Sequence, residues 1–505
     1  MTATIDTSTS PVAVSTARRA RRYTAGLIIA AIATILLTVY LLVSDADRLI
    51  VGLVVILISM ALMLFKIPIG IAMILSSMLG LFVLIGPRAL TGSMEEIAYT
   101  SFASWSLSVI PMFVLMGIAM GKSGLTDGAY DSARKWLGRL PGGLAISTNF
   151  AGAGLASTSG SSIGIAYAIG RVAVPEMLRS GYSPRLAMGS VAMAGTLGQV
   201  IPPSVLLVIY AGVAETPVGP QLLAGIVPGL MLALLFALVI LVWGMVVKDA
   251  APRGPRYTWR ERLVSLRSLV PVVVIVVVVL GGIYFGIFTA TEAGAYGAAI
   301  TLVLGLLAVI GASRKARRAG GTVSTGSALR TYMASTLLDT ISAVAAVFLL
   351  LIGVMLLTRV MALSGLASWV ADIVVELGLN QLSFLLLLIP VYLILGFFLD
   401  TLAMMLLTIP VFLGPLEALD VNLIWFGVFL IVLAEIDLVA PPLGVLNFVV
   451  LAIAKSSTKG MGIRITIGDV FKGVLPFIAV CVLFLVALIA FPQIATWLPD
   501  LSVAK

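Results

Sequence analysis

The sequence predicts an all-α polytopic membrane protein built as two inverted repeats, each carrying a re-entrant hairpin and a transmembrane helix broken by a proline pair. Three observations predict it. Of the 505 residues 61% are hydrophobic and 10% charged, with a mean hydropathy of +1.18, more apolar surface than a soluble globular chain can bury. Pro202-Pro203 and Pro441-Pro442 each cut an apolar segment near its middle, at a spacing of 239 residues (202 to 441). Upstream of each pair stands a polar interruption. In the first copy it is the cluster Ser157, Thr158, Ser159, Ser161 and Ser162 about Gly160; in the second, Asp400 lies 239 residues beyond Ser161.

In chain order, residues 1–23 read as a disordered basic arm that ends in Arg18, Arg19, Arg21 and Arg22. Residues 24–47 hold an extra N-terminal transmembrane helix, Gly26–Val43, read as an uncleaved signal-anchor with its N-terminus cytoplasmic. The first repeat covers 48–250. Its spans are Ile50–Phe65, Ile67–Ile85, Phe102–Met120 and Gln221–Val247, with a hairpin at about 144–180 and a broken helix at about 185–214. Residues 251–268 form a basic cytoplasmic linker; six basic residues lie between Lys248 and Arg267. The second repeat covers 269–499, with spans Leu269–Phe288, Thr291–Ile310, Leu337–Thr358 and Gly473–Phe491. Its hairpin lies at about 382–415 and its broken helix at about 421–454, and 500–505 is a tail. Each apolar run approaches the roughly 20 residues that cross a bilayer.

Two further matches support the duplication. KSGLTDGAYDSARKWLG from Lys122 is similar to LSGLASWVADIVVELG from Leu363, and AGIVPG from Ala224 to KGVLPF from Lys472. Alternating the spans puts the first Ser-Gly-Leu helix, with Arg134, Lys135 and Arg139, inside the cell. The second, with Asp372 and Glu376, falls outside. Opposite placement of matched segments is what inverted repeats require.

The breaks carry the chemistry. Proline offers no N–H, so the carbonyls of Gly198 and Gln199 in the first copy, and of Asp437 and Leu438 in the second, lose their helical partners. Non-helical backbone at membrane depth is tolerated only where protein or a watery cavity surrounds it, so the breaks mark a site. Other classes are excluded. The net charge of +9 sits in short loops between spans, which reads as the positive-inside bias and not as nucleic-acid binding. No GxxxxGK[ST] run supplies ATP hydrolysis. The chain has no histidine and one cysteine, Cys481, in an apolar span, so neither a His–Cys metal centre nor an internal disulfide is expected. Without histidine as base, the serine cluster makes no hydrolase, and the chain is read as a transporter rather than an enzyme.

GRLPGGLA, the ASTSGSS cluster, AGTLGQVIPPS, LLAGIVPG, GGIYFGIFTATEAGAYGA, FFLDTLAMMLLTIPVFLGPL and VAPPLGVLNF occur in that order. Together they resemble the large membrane subunit of tripartite ATP-independent periplasmic (TRAP) transporters, from about Ile50 to Pro499. The resemblance implies a sodium-coupled, elevator-type importer of an organic acid in the bacterial inner membrane. Its implied partners are a periplasmic substrate-binding protein and a small membrane (Q) subunit, with the lipid bilayer as solvent. No cofactor is implied beyond sodium as coupling ion. This chain departs from the family pattern in its extra N-terminal helix, in Asp400-Thr401 where the family tends to Asp-Pro, and in Asp437 where a glycine is usual.

Hydroxyls and unwound carbonyls are hard oxygen ligands suited to sodium. Ser161, Ser162, Gly198, Gln199, Asp400, Thr401 and Asp437 are the candidate sodium-binding residues; Ser157, Ser159, Pro203 and Arg359 are the candidate substrate-binding ones. Each has a plainer reading. Small hydroxyls also allow close helix packing, Asp400 and Asp437 could sit in structural ion pairs, and Arg359 could snorkel to the interface. Thr289, Thr291 and Glu292 match a family signature that helix capping explains as well. The competing function is a stand-alone ion-coupled anion carrier of the same hairpin type, needing no binding protein.

The inverted topology is tested by labelling Arg139→Cys and Asp372→Cys from each side of the membrane. They are expected to react from opposite sides, and reaction from one side would remove the inversion.

Overall fold

The computed structural model describes residues 31–503 apart from 33, 44–45, 104, 127, 160, 249, 320–323 and 459–462. The expected N-terminal arm and the start of the extra helix lie outside the described residues, as does Gly160. Every regular element among the described residues is helical. α1 is Thr34–Val43, α2 Arg48–Leu64, α3 Ile69–Ala103, α4 Val109–Ser123 and α5 Gly128–Leu137. The first hairpin is α6 (Gly143–Ser159) with α7 (Ser162–Arg179); the first broken helix is α8 (Pro184–Val200) with α9 (Val205–Val213). α10 (Val218–Ala224), α11 (Ile226–Val246) and α12 (Trp259–Leu266) lead to α13 (Val270–Val276), a π turn at Val277–Gly281, and α14 (Gly282–Tyr284). α15 (Ala290–Arg318), α16 (Thr325–Ser364) and α17 (Leu366–Glu376) precede the second hairpin, α18 (Gln381–Leu395) with α19 (Thr401–Ala418). The second broken helix is α20 (Leu423–Val439) with α21 (Val445–Ser457), and α22 (Ile467–Ala490) and α23 (Gln493–Val503) complete the chain.

Six of these helices are long and apolar enough to cross a membrane, and four bent pairs raise the number of spans to as many as ten. Large apolar side chains such as Leu230, Leu234, Leu238, Leu483 and Val486 are exposed, as befits a hydrocarbon solvent. The spacing of 239 is visible in the elements themselves. α7 and α19 are both 18 residues and begin at 162 and 401; α8 and α20 are both 17 residues and begin at 184 and 423.

Several expected boundaries shift. The predicted spans Ile67–Ile85 and Phe102–Met120 give way to α3, which runs to Ala103 across a kink where Gly86 takes φ 78° before Pro87, and to α4, which starts only at Val109. Hydropathy fades along Arg88–Glu96, but helix formers such as Met94, Glu95 and Glu96 carry the backbone on. The predicted Leu269–Phe288 span is interrupted by the π turn. Thr289 and Glu292 form a capping box at the start of α15: the Thr289 hydroxyl accepts the Glu292 N–H at 3.3 Å and the Glu292 carboxylate accepts the Thr289 N–H at 2.8 Å.

The chain divides into two compact units, each drawing on both predicted repeats. The smaller comprises residues up to Tyr99 with Leu349–Trp369. There α2, α3 and the end of α16 approach through small residues: a Cβ at Gly70 would stand 2.9 Å from the Leu349 carbonyl, and one at Gly353 2.9 Å from the Gly70 carbonyl. The Ser59 and Ser76 hydroxyls share a hydrogen bond of 2.5 Å.

The larger unit, Thr100–Phe348 with Val370–Lys505, holds both hairpins and both broken helices. Tyr182 closes the base of the first hairpin by accepting the Leu144 N–H at 3.1 Å. In the second hairpin the Tyr392 and Thr408 hydroxyls hydrogen-bond at 2.5 Å, and Phe384 packs edge-on against Phe412. Arg134 on α5 reaches Glu176 on α7 at 2.7 Å and Asp131 at 2.8 Å. α8 and α22 cross backbone to backbone, since a Cβ at Gly189 would fall on the Gly473 carbonyl and one at Gly473 on the Arg185 carbonyl.

Gly473→Val should therefore destabilise the purified protein by about 1–3 kcal/mol, the usual effect of overpacking, seen as a lowered Tm. Gly121→Ala, whose added Cβ meets nothing within 4 Å, should be neutral; equal effects would discount the crossing.

Candidate functional site

The two broken helices end where the proline pairs dictate. α8 stops at Val200 and α20 at Val439, and both Pro202-Pro203 and Pro441-Pro442 bonds are cis. Pro203 is buried within the first break. The four carbonyls expected to lose partners do not all stay free. Gln199 O accepts the Ser204 hydroxyl at 2.5 Å, and Asp437 O accepts the Ala440 N–H at 3.2 Å. A serine directly after the prolines, and a tightened last turn, replace the missing i+4 donors. The expectation of a free Gln199 carbonyl is corrected accordingly, whereas Gly198 faces Pro202, which has no N–H to give. What the Gln199 side chain does leave is its Oε1, buried without a partner.

The hairpin tips repeat one device. Ser161 is the N-cap of α7 and accepts the Gly164 N–H at 3.2 Å; Asp400 is the N-cap of α19 and accepts the Ala403 N–H at 2.7 Å. Each bond runs from a cap to the N–H three residues on, the usual capping geometry. Both residues are exposed. Ser157 and Ser159 fall in the last turn of α6, and their side chains lie outside the described residues.

One residue further on, the tips meet α20. Ser162, 1% exposed, donates to both carboxylate oxygens of Glu435 at 2.9 Å, and Glu435 is itself only 3% exposed. Thr401 of the second hairpin donates to the Ala434 carbonyl at 3.5 Å. Two hairpins thus reach consecutive residues of one helix. Asp437 lies on the side of α20 facing Gly396 at the end of α18, where any Cβ would fall on its carboxyl group. Its Oδ1 is buried with no hydrogen-bond partner. On α8, Gly195 and Gly198 share a face and admit the first tip: a Cβ at Gly195 would stand 2.8 Å from the Ser162 carbonyl, and one at Gly198 3.5 Å from the Ser162 nitrogen.

α20 is apolar but for Glu435 and Asp437, and 14 of its 17 residues are buried, as expected of a helix enclosed by others. It is held at its start by Tyr210, which donates to the Leu423 carbonyl at 2.7 Å, and by Gln221, which donates to the Ile424 carbonyl at 3.1 Å. Asn447 donates to the Val439 carbonyl at 2.7 Å at its end. No salt bridge among the described residues involves Glu435, Asp437 or Asp400, so the ion-pair reading of those acids finds no base. The donor set is carboxylate, hydroxyl, amide and carbonyl oxygen, which suits a hard cation; among the described residues no three His, Cys, Asp or Glu side chains gather as a transition-metal centre would need.

Ser161, Ser162, Asp400 and Thr401 therefore lie at the two hairpin tips, Gly198 near the end of α8, and Asp437 near the end of α20 itself. Arg359 belongs to the smaller unit, where its guanidinium donates to Glu96 at 2.7 Å. Glu435, not among the candidate site residues drawn from the sequence, is the residue that sequence reasoning missed. Its signal was an acid inside the uninterrupted run LIWFGVFLIVLAEIDLV, where such groups are costly and usually face a partner.

Residues 54–494 match the family described as "Tripartite ATP-independent periplasmic transporter, DctM component". The chain is 33% identical over 396 residues, 78% of its length and 86% of the relative's, to the C4-dicarboxylate TRAP transporter large permease protein DctM of Pseudomonas aeruginosa. It is 26% identical over 450 residues, 89% of its length and 68% of the relative's, to the sialic acid TRAP transporter permease protein SiaT of Haemophilus influenzae. In fold it is similar to the Alcanivorax borkumensis YdaH transporter, with a TM-score of 0.55 at 18% identity over 81% of this chain and 89% of that one.

The Gly396–Asp437 contact predicts a specific rescue. Gly396→Ala should lower stability by about 1–3 kcal/mol through overpacking, and Gly396→Ala with Asp437→Gly should regain most of it. Additive losses in that double-mutant cycle would show that the two positions do not touch.

Proposed function

The chain belongs to the DctM-component family of tripartite ATP-independent periplasmic transporters, and from that premise we propose that it is the permease of a sodium-coupled importer for a small carboxylate-bearing solute. It is a transporter subunit of the inner membrane, not an enzyme. A tripartite family supplies its partners: a periplasmic substrate-binding protein and a small membrane subunit. The named relatives act on C4-dicarboxylates and sialic acid, both of which carry carboxylates.

The observation that carries the reading is the meeting of both hairpin tips on Ala434 and Glu435. The carbonyl ends of α8 and α20, with Glu435, Asp437 and the Gln199 amide, make the negative side of the site and would hold sodium. Ser161, Ser162, Gly198, Asp400 and Thr401 would complete its oxygen ligands. The backbone N–H groups in the first turns of α7 and α19 stand next to those ligands and, with Ser157, Ser159 and Pro203, would receive the substrate carboxylate beside the bound sodium. Movement of the hairpins with α8 and α20 as one body would then give the elevator step, with the chain's N-terminus in the cytoplasm.

Asp400→Ser separates charge from capping, because serine already caps the matching position at Ser161. In liposomes holding the membrane complex, with binding protein outside and an inward sodium gradient, wild type should take up substrate. Asp400→Ser should lose about tenfold or more of that uptake, equivalent to roughly 1.4 kcal/mol, with Tm unchanged. Full sodium dependence in the variant would remove Asp400 from the ion site, and uptake by this chain without the binding protein would establish the stand-alone carrier instead.

A further inference from the structure

The two glycines of α6 that precede the serine cluster face different surroundings. A Cβ at Gly152 would meet the Ala194 carbonyl at 2.6 Å, so this glycine lets α6 lie on α8; a Cβ at Gly154 would meet nothing within 4 Å. Gly154 opens onto a crevice between α6 and the α13–π turn segment. One part encloses about 440 Å³ and is walled by Trp136, Phe150, Leu266 and Leu269; an adjoining part of about 310 Å³ is walled by Ile201, Leu230 and Leu280. Gly154, Val272 and Val273 border both parts, which makes the crevice continuous. Its walls are almost wholly apolar. An empty space there would leave its lining without dispersion partners, and the medium around these helices is hydrocarbon.

Where the crevice nears the basic linker it acquires a polar rim. Trp136 donates its indole N–H to the Arg262 carbonyl at 3.1 Å, and Trp259 stands edge-on to Trp136 with centroids 6.1 Å apart. The Arg262 guanidinium lies 5.4 Å over the Trp259 ring, on a side chain that is only half-buried. Tryptophan with arginine is an interfacial arrangement, and a guanidinium fork suits phosphate oxygens. The surrounding linker is strongly basic, with six cationic residues between Lys248 and Arg267. We propose that this crevice binds an acyl chain of an anionic phospholipid whose phosphate is held at Arg262. The lipid then lies along the helix that ends at the first hairpin tip.

The test uses the purified membrane complex, washed in mild detergent and assayed for retained phospholipid by native mass spectrometry. Wild type should keep phosphatidylglycerol. Gly154→Leu, which grows into open space, should lose it at unchanged Tm, and Val273→Phe should lose it from the opposite wall. Arg262→Gln should abolish the preference for phosphatidylglycerol over phosphatidylethanolamine. Retention in both crevice-filling variants would overturn the proposal, as would an unaltered lipid preference in Arg262→Gln. So would a photo-crosslinking side chain in place of Val273 that captures the small membrane subunit and no lipid.

Discussion

A carboxylate with no base to answer it sets the terms for the larger unit. Glu435 is buried on a helix that is otherwise apolar, and the hydrogen bonds it receives come from one hydroxyl, Ser162, 273 residues away in sequence. Taking such a group out of water is unfavourable unless something compensates it. That demand ties the first hairpin to the second broken helix. Other features follow from keeping the contact: Gly195 and Gly198 are bare so that the tip can lie on α8, and Tyr210, Gln221 and Asn447 fix α20 at both ends.

The duplication makes this arrangement economical in sequence while letting the two copies differ in chemistry. Ser161 and Asp400 perform the same capping, and Ser162 and Thr401 both present a hydroxyl to α20. α20, however, has acids where α8 has Thr196 and Gly198, displaced by the same 239 residues. A symmetric backbone thus carries an asymmetric charge. The site proposed here for a cation and an anion together needs this, since identical halves would present the same electrostatic face twice.

Much of this was legible in the residues. A proline pair breaks a helix, and the 239-residue spacing of the two pairs put α7 and α8 in register with α19 and α20. The composition fixed the solvent, and the family motifs named the partners. Three things were not legible. Which way Glu435 points depends on packing against a segment far away in sequence, and periodicity does not encode that for a helix buried all round. The capture of the Gln199 carbonyl by Ser204 reverses the simple count of lost helical donors, although the serine after the prolines was there to be noticed. The pairing of Arg359 with Glu96 joins residues 263 positions apart, which local sequence does not encode.

The absence of a salt bridge to Glu435, Asp437 and Asp400 among the described residues has an electrical consequence. Charge carried by these groups that is not cancelled by what they bind is charge held by the protein inside the transmembrane voltage. Displacing one elementary charge through the full field amounts to about 2.3 kcal/mol per 100 mV. On the proposed sodium-coupled reading, the resting potential acts differently on loaded and empty forms, and the loading of the α20 carboxylates decides the sign of that bias.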